Sequence, residues 1–165
     1  MNFEWKQTTE QDLEQFNNWG KKVLKIQKFV DGKNLGNKIL EMVENIGYDS
    51  GVFRVRSVYD NDVLVGVCVV IINKATKKSR NTLTLYNIVV NPELQNKGYG
   101  CAMMFDIVKN CEQIFNFKPM VIKSYVDKQN VASNKMHVNA GFELDKKLNK
   151  KLKKGKNIHY EKTLN

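Results

Sequence analysis

Proline is nearly missing from this chain: two residues in 165, Pro92 and Pro119, and no tract rich in Ser, Gly and Pro. Nothing therefore reads as a flexible linker. The length suits one domain, spanning 1–165, with a core that needs no staples. No self-similar period is present, which excludes repeat architectures. No apolar run reaches membrane-spanning length; the longest, Val63 to Ile72, is broken by Gly66 and is strand-like. The opening MNFEWKQTTEQDLEQF has no apolar segment of the kind a secretory signal needs. Cysteine is scarce as well. Cys68, Cys101 and Cys111 form no CxxC, and His137 and His159, the only histidines, lie far apart in sequence. No metal site is expected, and reduced, buried thiols are the better reading. These absences predict a soluble, cytoplasmic protein with no membrane partner.

Negative charge is the other shortage. Lys and Arg number 27 against 17 Asp and Glu, a formal net charge of +10. Seven lysines crowd into Lys146 to Lys156, so much of the excess is local. Such runs are usually solvated loops. A nucleic-acid partner is disfavoured, because no aromatic residue interleaves with these lysines to stack bases.

What is present centres on Leu83 to Gly100, LTLYNIVVNPELQNKGYG. A β-rich run, Leu83 to Val90, is stopped by Asn91-Pro92, since proline lacks the N–H a sheet ladder uses. Gln95 to Gly100 then leads into Cys101 to Phe115, long enough for four turns of helix. Strand, glycine-bearing loop and helix start make a layout that holds an anion. The first helical N–H groups lack partners, and the helix dipole adds positive charge there. Gly98 and Gly100 let the backbone approach a phosphate closely. The spacing is neither a Walker A loop nor a GxGxxG dinucleotide fingerprint, which would need glycine at Met103.

Along the chain, Thr9-x-x-Asp12 precedes Leu13, Phe16, Val23 and Ile26 and predicts a capped amphipathic helix. Asp31 to Asn34 reads as a turn, and a second helix carries Leu35, Ile39, Met42, Val43 and Ile46 up to Gly47. Gly51 to Tyr59 alternates Phe53 and Val55 with Arg54 and Arg56, as a half-buried strand does. Asp60 to Asp62 turns into the strand Val63 to Ile72. The helix from Gly98 is expected to bury Ala102, Phe105, Val108 and Ile114. Pro119 opens a strand through Tyr125, Asn130 to Ala140 is a short helix with Gly141 as its stop, and Phe142 to Lys147 and Asn157 to Leu164 are the last strands, joined by a lysine-rich loop. The consequence is an α/β (α+β) fold: a mixed, mostly antiparallel sheet flanked by helices, with one parallel pair where the helix from Gly98 crosses.

Two of these stretches resemble the GNAT superfamily of N-acetyltransferases. Gln95-x-x-Gly98-x-Gly100, after a strand and a proline turn, matches its cofactor loop. Asn130 to Phe142, NVASNKMHVNAGF, is similar to its later helix, which opens with Asn and ends in Gly-Phe. The resemblance covers roughly residues 50 to 165. It implies the acyl-CoA acyltransferase fold, with a sheet splayed where the parallel strands part, and an enzyme that moves acetyl from acetyl-CoA to a primary amine by direct attack in a ternary complex. A small-molecule amine is slightly favoured over a protein or peptide amine as acceptor, and a homodimer is compatible with the chain. By this resemblance, Gln95, Asn96, Lys97, Gly98, Tyr99, Gly100 and Cys101 hold the diphosphate. Ile88, Val89 and Val90 offer backbone groups to the pantetheine arm, Val90 N–H polarises the thioester carbonyl, and Asn130 and Ser133 touch the arm.

The proton chemistry departs from the family pattern. No Asp, Glu or His lies between Leu83 and Val90; Tyr86 and Asn87 fill the polar slots, and neither is a good base at neutral pH. Tyr86 reads better as a packed or gating aromatic, and Asn87 as a group that orders water. The family's frequent general-acid tyrosine is replaced by His137, either a proton donor or a surface histidine on a short helix. That departure keeps open a second reading, a non-catalytic acyl-CoA-binding module of the same fold. The acceptor site is expected between Trp19 to Ile46 and Lys146 to Ile158, where Trp19, Phe29 and Tyr48 read better as core than as pocket.

Overall fold

The computed structural model describes residues 1–23, 41, 45, 47, 49–77, 79–152 and 155–164. The elements in order are β1 (Phe3–Gln7), α1 (Glu10–Val23), β2 (Phe53–Asp60), β3 (Val63–Asn73), β4 (Thr82–Val90), a 3-10 turn (Pro92–Leu94), α2 (Tyr99–Phe115), β5 (Val121–Asp127), α3 (Val131–Asn139), β6 (Glu143–Leu144), α4 (Lys146–Lys151) and β7 (Asn157–Thr163). The strands form one sheet in the order β1-β2-β3-β4-β5-β7-β6. Every neighbouring pair is antiparallel except β4 and β5. That parallel pair is the one α2 connects, as the alternation of strands and helix requires.

Each face of the sheet has its own core. Along β3, Val67 and Val69 pack with Leu13, Phe16 and Trp19 of α1, while Cys68 and Val70 pack with Met104, Ile107 and Phe115 of α2. The β2–β3 turn places Asn61 and Asp62 at positive φ, 49° and 61°, the geometry whose twist matches a tight hairpin. Thr9 and Asp12 make the expected reciprocal cap on α1: Thr9 N–H donates to Asp12 Oδ2 (2.9 Å) and Asp12 N–H to Thr9 Oγ1 (3.2 Å).

Several expectations are corrected. A strand at Phe3–Gln7, unanticipated, pairs with β2 at the edge of the sheet. Arg56 is not on a solvated face: it is 7% exposed, because β2 is covered on both sides. Its guanidinium pairs with Asp49 (2.7 and 3.1 Å), and its Nε donates to Ile114 O (2.8 Å), one of the carbonyls left over at the end of α2. The buried stripe of α2 is Met103, Met104, Ile107, Cys111, Ile114 and Phe115. Ile114 was foreseen, but Ala102 and Val108 are only half-buried and Phe105 is 52% exposed. The strand expected over Phe142 to Lys147 shrinks to Glu143–Leu144, and the lysines from 146 to 151 form a short helix capped by Asp145, whose side chain accepts from Leu148 N–H (2.9 Å). The turn at Asp31 to Asn34 and the helix through Leu35, Ile39, Met42, Val43 and Ile46 lie outside the described residues, as do Ile26, Phe29 and Tyr48. Trp19 is core, edge-on to Phe16 at 5.9 Å.

Candidate functional site

Strands β4 and β5 begin as a ladder and then part. Their register runs from Thr82↔Val121 to Leu85↔Ser124 and stops there. Beyond that point β4 stays with β3 as far as Gly66↔Val90, and β5 stays with β7 as far as Asp127↔Asn157. A gap opens between them. Asn91 N–H donates to Val65 O (2.8 Å), so by the alternation of an antiparallel ladder the N–H groups of Ile88 and Val90 face the gap. The Val90 carbonyl lies on the same side, where it accepts from Gln95 Nε2 (3.2 Å).

The start of α2 closes one end of this gap. Gly98 holds φ at +87°, the left-handed region, and gives the helix no side-chain cap. The first intrahelical bond is Ala102 N–H to Gly98 O (3.0 Å), so the N–H groups of Tyr99, Gly100 and Cys101 precede it and remain open to a ligand. A Cβ on Gly100 would meet Met136 Sδ at 3.3 Å and Val90 Cγ2 at 3.6 Å. Glycine there allows α2, α3 and β4 to come together.

The outer hollow is lined by Ile88, Val89, Val90, Gln95, Asn96, Gly98, Gly100, Cys101, Asn130 and Ser133. These are ten of the residues the sequence singled out for the cofactor. Two others do not join them. Lys97 is exposed and outside the lining, and Tyr99 turns away, its ring against Phe3 and its hydroxyl donating to Asp60 Oδ2 (3.2 Å). Asn130 caps α3, with Oδ1 accepting from Ser133 N–H (3.1 Å), and reaches both this hollow and the one inside it.

The inner hollow lies where the strands separate. Tyr86 (53% exposed) and the half-buried Asn87 border it on β4, and Ser124, Tyr125 and Asp127 on β5. From α3 comes His137, which is 3% exposed and so no surface histidine. Its Nδ1 lies 2.7 Å from Ser133 O and its Nε2 2.8 Å from Ser124 Oγ. The ring stacks on Tyr160 (5.2 Å, 23°) and meets the edge of Phe142. Burial holds its pKa below the ordinary imidazole value, against the opposing effect of the Ser133 carbonyl. Sequence reasoning missed Ser124. A signal was there: Ile122, Ser124 and Val126 share the buried parity of β5, and a hydroxyl in an apolar slot asks for a partner. Asn134 serves locally, donating to Asp127 O (3.1 Å) and Asn130 O (2.9 Å) and accepting from Tyr160 OH (3.0 Å).

Among the described residues no group of His, Cys, Asp and Glu is placed to hold a metal, and no helix is long and apolar enough to cross a membrane. The three cysteines are free thiols; burial pushes Cys111 up to about 12 and Cys68 higher still.

Comparison with known proteins agrees with this geometry. The model of the acetyltransferase (GNAT) family matches residues 24–142. No curated protein matches the sequence. Among solved structures, the chain is similar to spermidine N-acetyltransferase from Vibrio cholerae in complex with CoA and spermine, at 16% identity over 96% of this chain and 92% of that one, with a TM-score of 0.68. It is likewise similar to yncA from Salmonella typhimurium with its cofactor acetyl-CoA (16%, 99% and 94%, TM-score 0.63) and to the N-acetyltransferase PseH of Campylobacter jejuni (16%, 99% and 99%, TM-score 0.63).

Proposed function

The chain belongs to the acetyltransferase (GNAT) family, and on that premise we propose that it moves an acetyl group from acetyl-CoA to a small-molecule primary amine by direct attack in a ternary complex. On this reading the whole chain, 1–165, works as one domain in the cytoplasm. The observation that carries it is the meeting, in one hollow, of an uncapped helix start and a strand edge with no ladder partner.

The residues fit the cofactor on both counts. The amides of Tyr99, Gly100 and Cys101 suit a diphosphate, because they point out of a helix N-terminus where partial positive charge accumulates. The Ile88 and Val90 amides suit the pantetheine arm, which pairs as an added strand does. Acetyl-CoA, when bound, supplies the activated acetyl thioester. Val90 lines only the outer hollow and so serves the arm, whereas Ile88 borders both hollows, and its N–H is the donor that steadies negative charge developing on the carbonyl oxygen, usually the largest contribution in acyl transfer. Gln95 holds that segment by its bond to the Val90 carbonyl. Asn130 and Ser133 border the arm from α3. Tyr86 and Asn87 stand on the acceptor side of the gap, where the amine enters.

The test is thermal. Saturating acetyl-CoA at about 100 times its Kd stabilises a native state by about 2.7 kcal/mol, a rise of roughly 5–10 °C in Tm for a chain of this size. Gly98→Glu should abolish the rise by placing bulk and negative charge beside the amides. Gly98→Asn, which tolerates the left-handed region, should retain most of it. A full shift in Gly98→Glu would mean that the diphosphate binds elsewhere. CoA release with a panel of primary amines then decides catalysis, and a shift without release from any amine would favour the non-catalytic acyl-CoA-binding module.

A further inference from the structure

We propose that Ser124 and His137 form a proton shuttle across the splayed gap, carrying a proton from the attacking nitrogen to the departing sulfur. This deepens the acetyl-transfer reading and rests on it. The starting observation is the tautomer. A carbonyl can only accept, so His137 Nδ1, 2.7 Å from Ser133 O, carries the ring proton. In the neutral ring Nε2 is then bare, and the Ser124 hydroxyl at 2.8 Å must donate to it. That leaves the lone pairs of Ser124 Oγ, on the wall of the inner hollow, able to accept. The pair is therefore poised as a base. β4 offers no other: the residues it gives the inner hollow are Leu85, Tyr86, Asn87 and Ile88.

Magnitudes decide which proton is moved. Taking one from a free ammonium with an ordinary pKa of ~10.4 onto even an unshifted imidazole of ~6.5 is uphill by about four powers of ten, and onto His137, which burial holds lower, by more. The ammonium therefore loses its first proton to solvent, and the neutral amine attacks. As the C–N bond forms, the nitrogen becomes strongly acidic. Its surplus proton passes to Ser124 Oγ while the Ser124 proton passes to His137 Nε2. As the C–S bond breaks, the imidazolium returns a proton through Ser124 to the thiolate. Amine plus thioester gives amide plus thiol, and both side chains end as they began.

The setting supports the transient imidazolium. The ring stacks on Tyr160, whose face favours a cation, and Tyr160 OH is itself held by Asn134. The groups facing the pair are Tyr86 from β4, Tyr125 and Asp127 from β5, and Tyr160 from β7. Lys162 Nζ lies by Gly141, at the far end of α3. Burial, which lowers the His137 pKa, opposes the charged ring, so it keeps His137 neutral at pH 7 and makes the imidazolium ready to give its proton back.

Two measurements test the shuttle. In 15N-histidine-labelled protein, the neutral His137 ring should carry its proton on Nδ1, and the Nε2 resonance should move in Ser124→Ala. A neutral ring protonated on Nε2 overturns the proposal without reference to any acceptor. The second uses the amine of the panel turned over fastest. In the wild type, log kcat/KM should rise with slope 2 below the pKa of His137, where both amine and imidazole must lose protons, and with slope 1 above it. His137→Gln and Ser124→Ala should keep the acetyl-CoA shift in Tm, lower kcat by about 100-fold, and show slope 1 throughout. Ser124→Thr, which keeps the hydroxyl, should recover most of the rate. Slope 1 throughout in the wild type, or kcat within twofold in Ser124→Ala, overturns the shuttle and leaves acetyl transfer standing. A wild type without Tm shift or turnover defeats acetyl transfer, and the shuttle with it.

Discussion

The carboxylate of Asp12 accepts from Thr9 N–H (2.9 Å), from Ser57 Oγ (2.8 Å) and from the Tyr59 hydroxyl, while Ser57 also meets Thr8 Oγ1 (3.0 Å). The Thr9–Asp12 spacing announced the cap; the contacts to β2 were invisible, because they depend on how α1 lies on the sheet. Burial alone would raise the Asp12 pKa, but the bonds from Tyr59, Thr9 and Ser57 outweigh it and set it below the ordinary carboxylate value. The stabilisation from ionised Asp12 is thus complete above the unfolded pKa of ~3.9 and is lost as pH falls through the lower folded pKa. Asp12→Ala should destabilise by about 2–4 kcal/mol at pH 7, since it strips partners from buried hydroxyls and a helix cap. Urea unfolding at pH 7 and again near pH 2 should show the difference from wild type shrinking at the acid end. A difference that persists undiminished in acid would mean that packing, not charge, is what Asp12 contributes. His137 was legible as a candidate for the same reason the cap was, its place in a motif, whereas Ser124 became one only when two elements met.

Gly66 looked like a mere interruption in the apolar run of β3, yet it sits opposite Val90 at the end of the β3–β4 ladder. A Cβ there would lie 2.7 Å from Val89 O and 2.7 Å from Met103 Cε. The methionine can move; the carbonyl belongs to the strand ladder and cannot. Gly66→Ala should therefore cost about 1–3 kcal/mol, the range of overpacked cores, by pushing α2 from β4. Because Met103 is in the second turn of α2, the variant should also show a smaller acetyl-CoA shift in Tm. Unchanged stability would mean that β4 yields more readily than a paired strand should. The elements themselves were mostly legible, for their period and their caps are local. What escaped was the choice among near-equivalent faces. Met103, Met104 and Cys111 took the buried stripe of α2 from Ala102, Phe105 and Val108, a rotation of about one residue that periodicity resolves poorly when both faces are apolar. β1 was missed although Phe3 and Trp5 alternate with Glu4 and Lys6, because five residues are too few for the period to stand out, and the helix at Lys146–Lys151 was hidden by its charge.

For the molecule as a whole, the mixed sheet and its crossover followed from the order of elements, whereas the position of the charge relative to the gap did not. The lysine-rich segment ends beside the site: Lys156 O accepts from Lys128 N–H (2.9 Å), one residue past Asp127 on the wall of the inner hollow. If the excess of a chain with formal net charge +10 is felt at that mouth, it should attract anions and repel polyamines over roughly a Debye length, about 10 Å at 0.1 M salt. Charge at this range acts mainly on encounter, so it should appear in kcat/KM more than in kcat. An amine that also carries a carboxylate or phosphate should be acetylated with a kcat/KM at least about tenfold above that of spermidine at low salt. The ratio should fall toward unity as salt is raised to about 0.5 M, where the field is screened. Replacing Lys146, Lys147, Lys150, Lys151 and Lys156 by Gln should move the low-salt ratio toward the high-salt value while leaving the acetyl-CoA shift in Tm intact, since none of them lines the cofactor hollow. A clear preference for spermidine at low salt would refute this account of acceptor choice, because a cationic mouth cannot by long-range charge select a polycation.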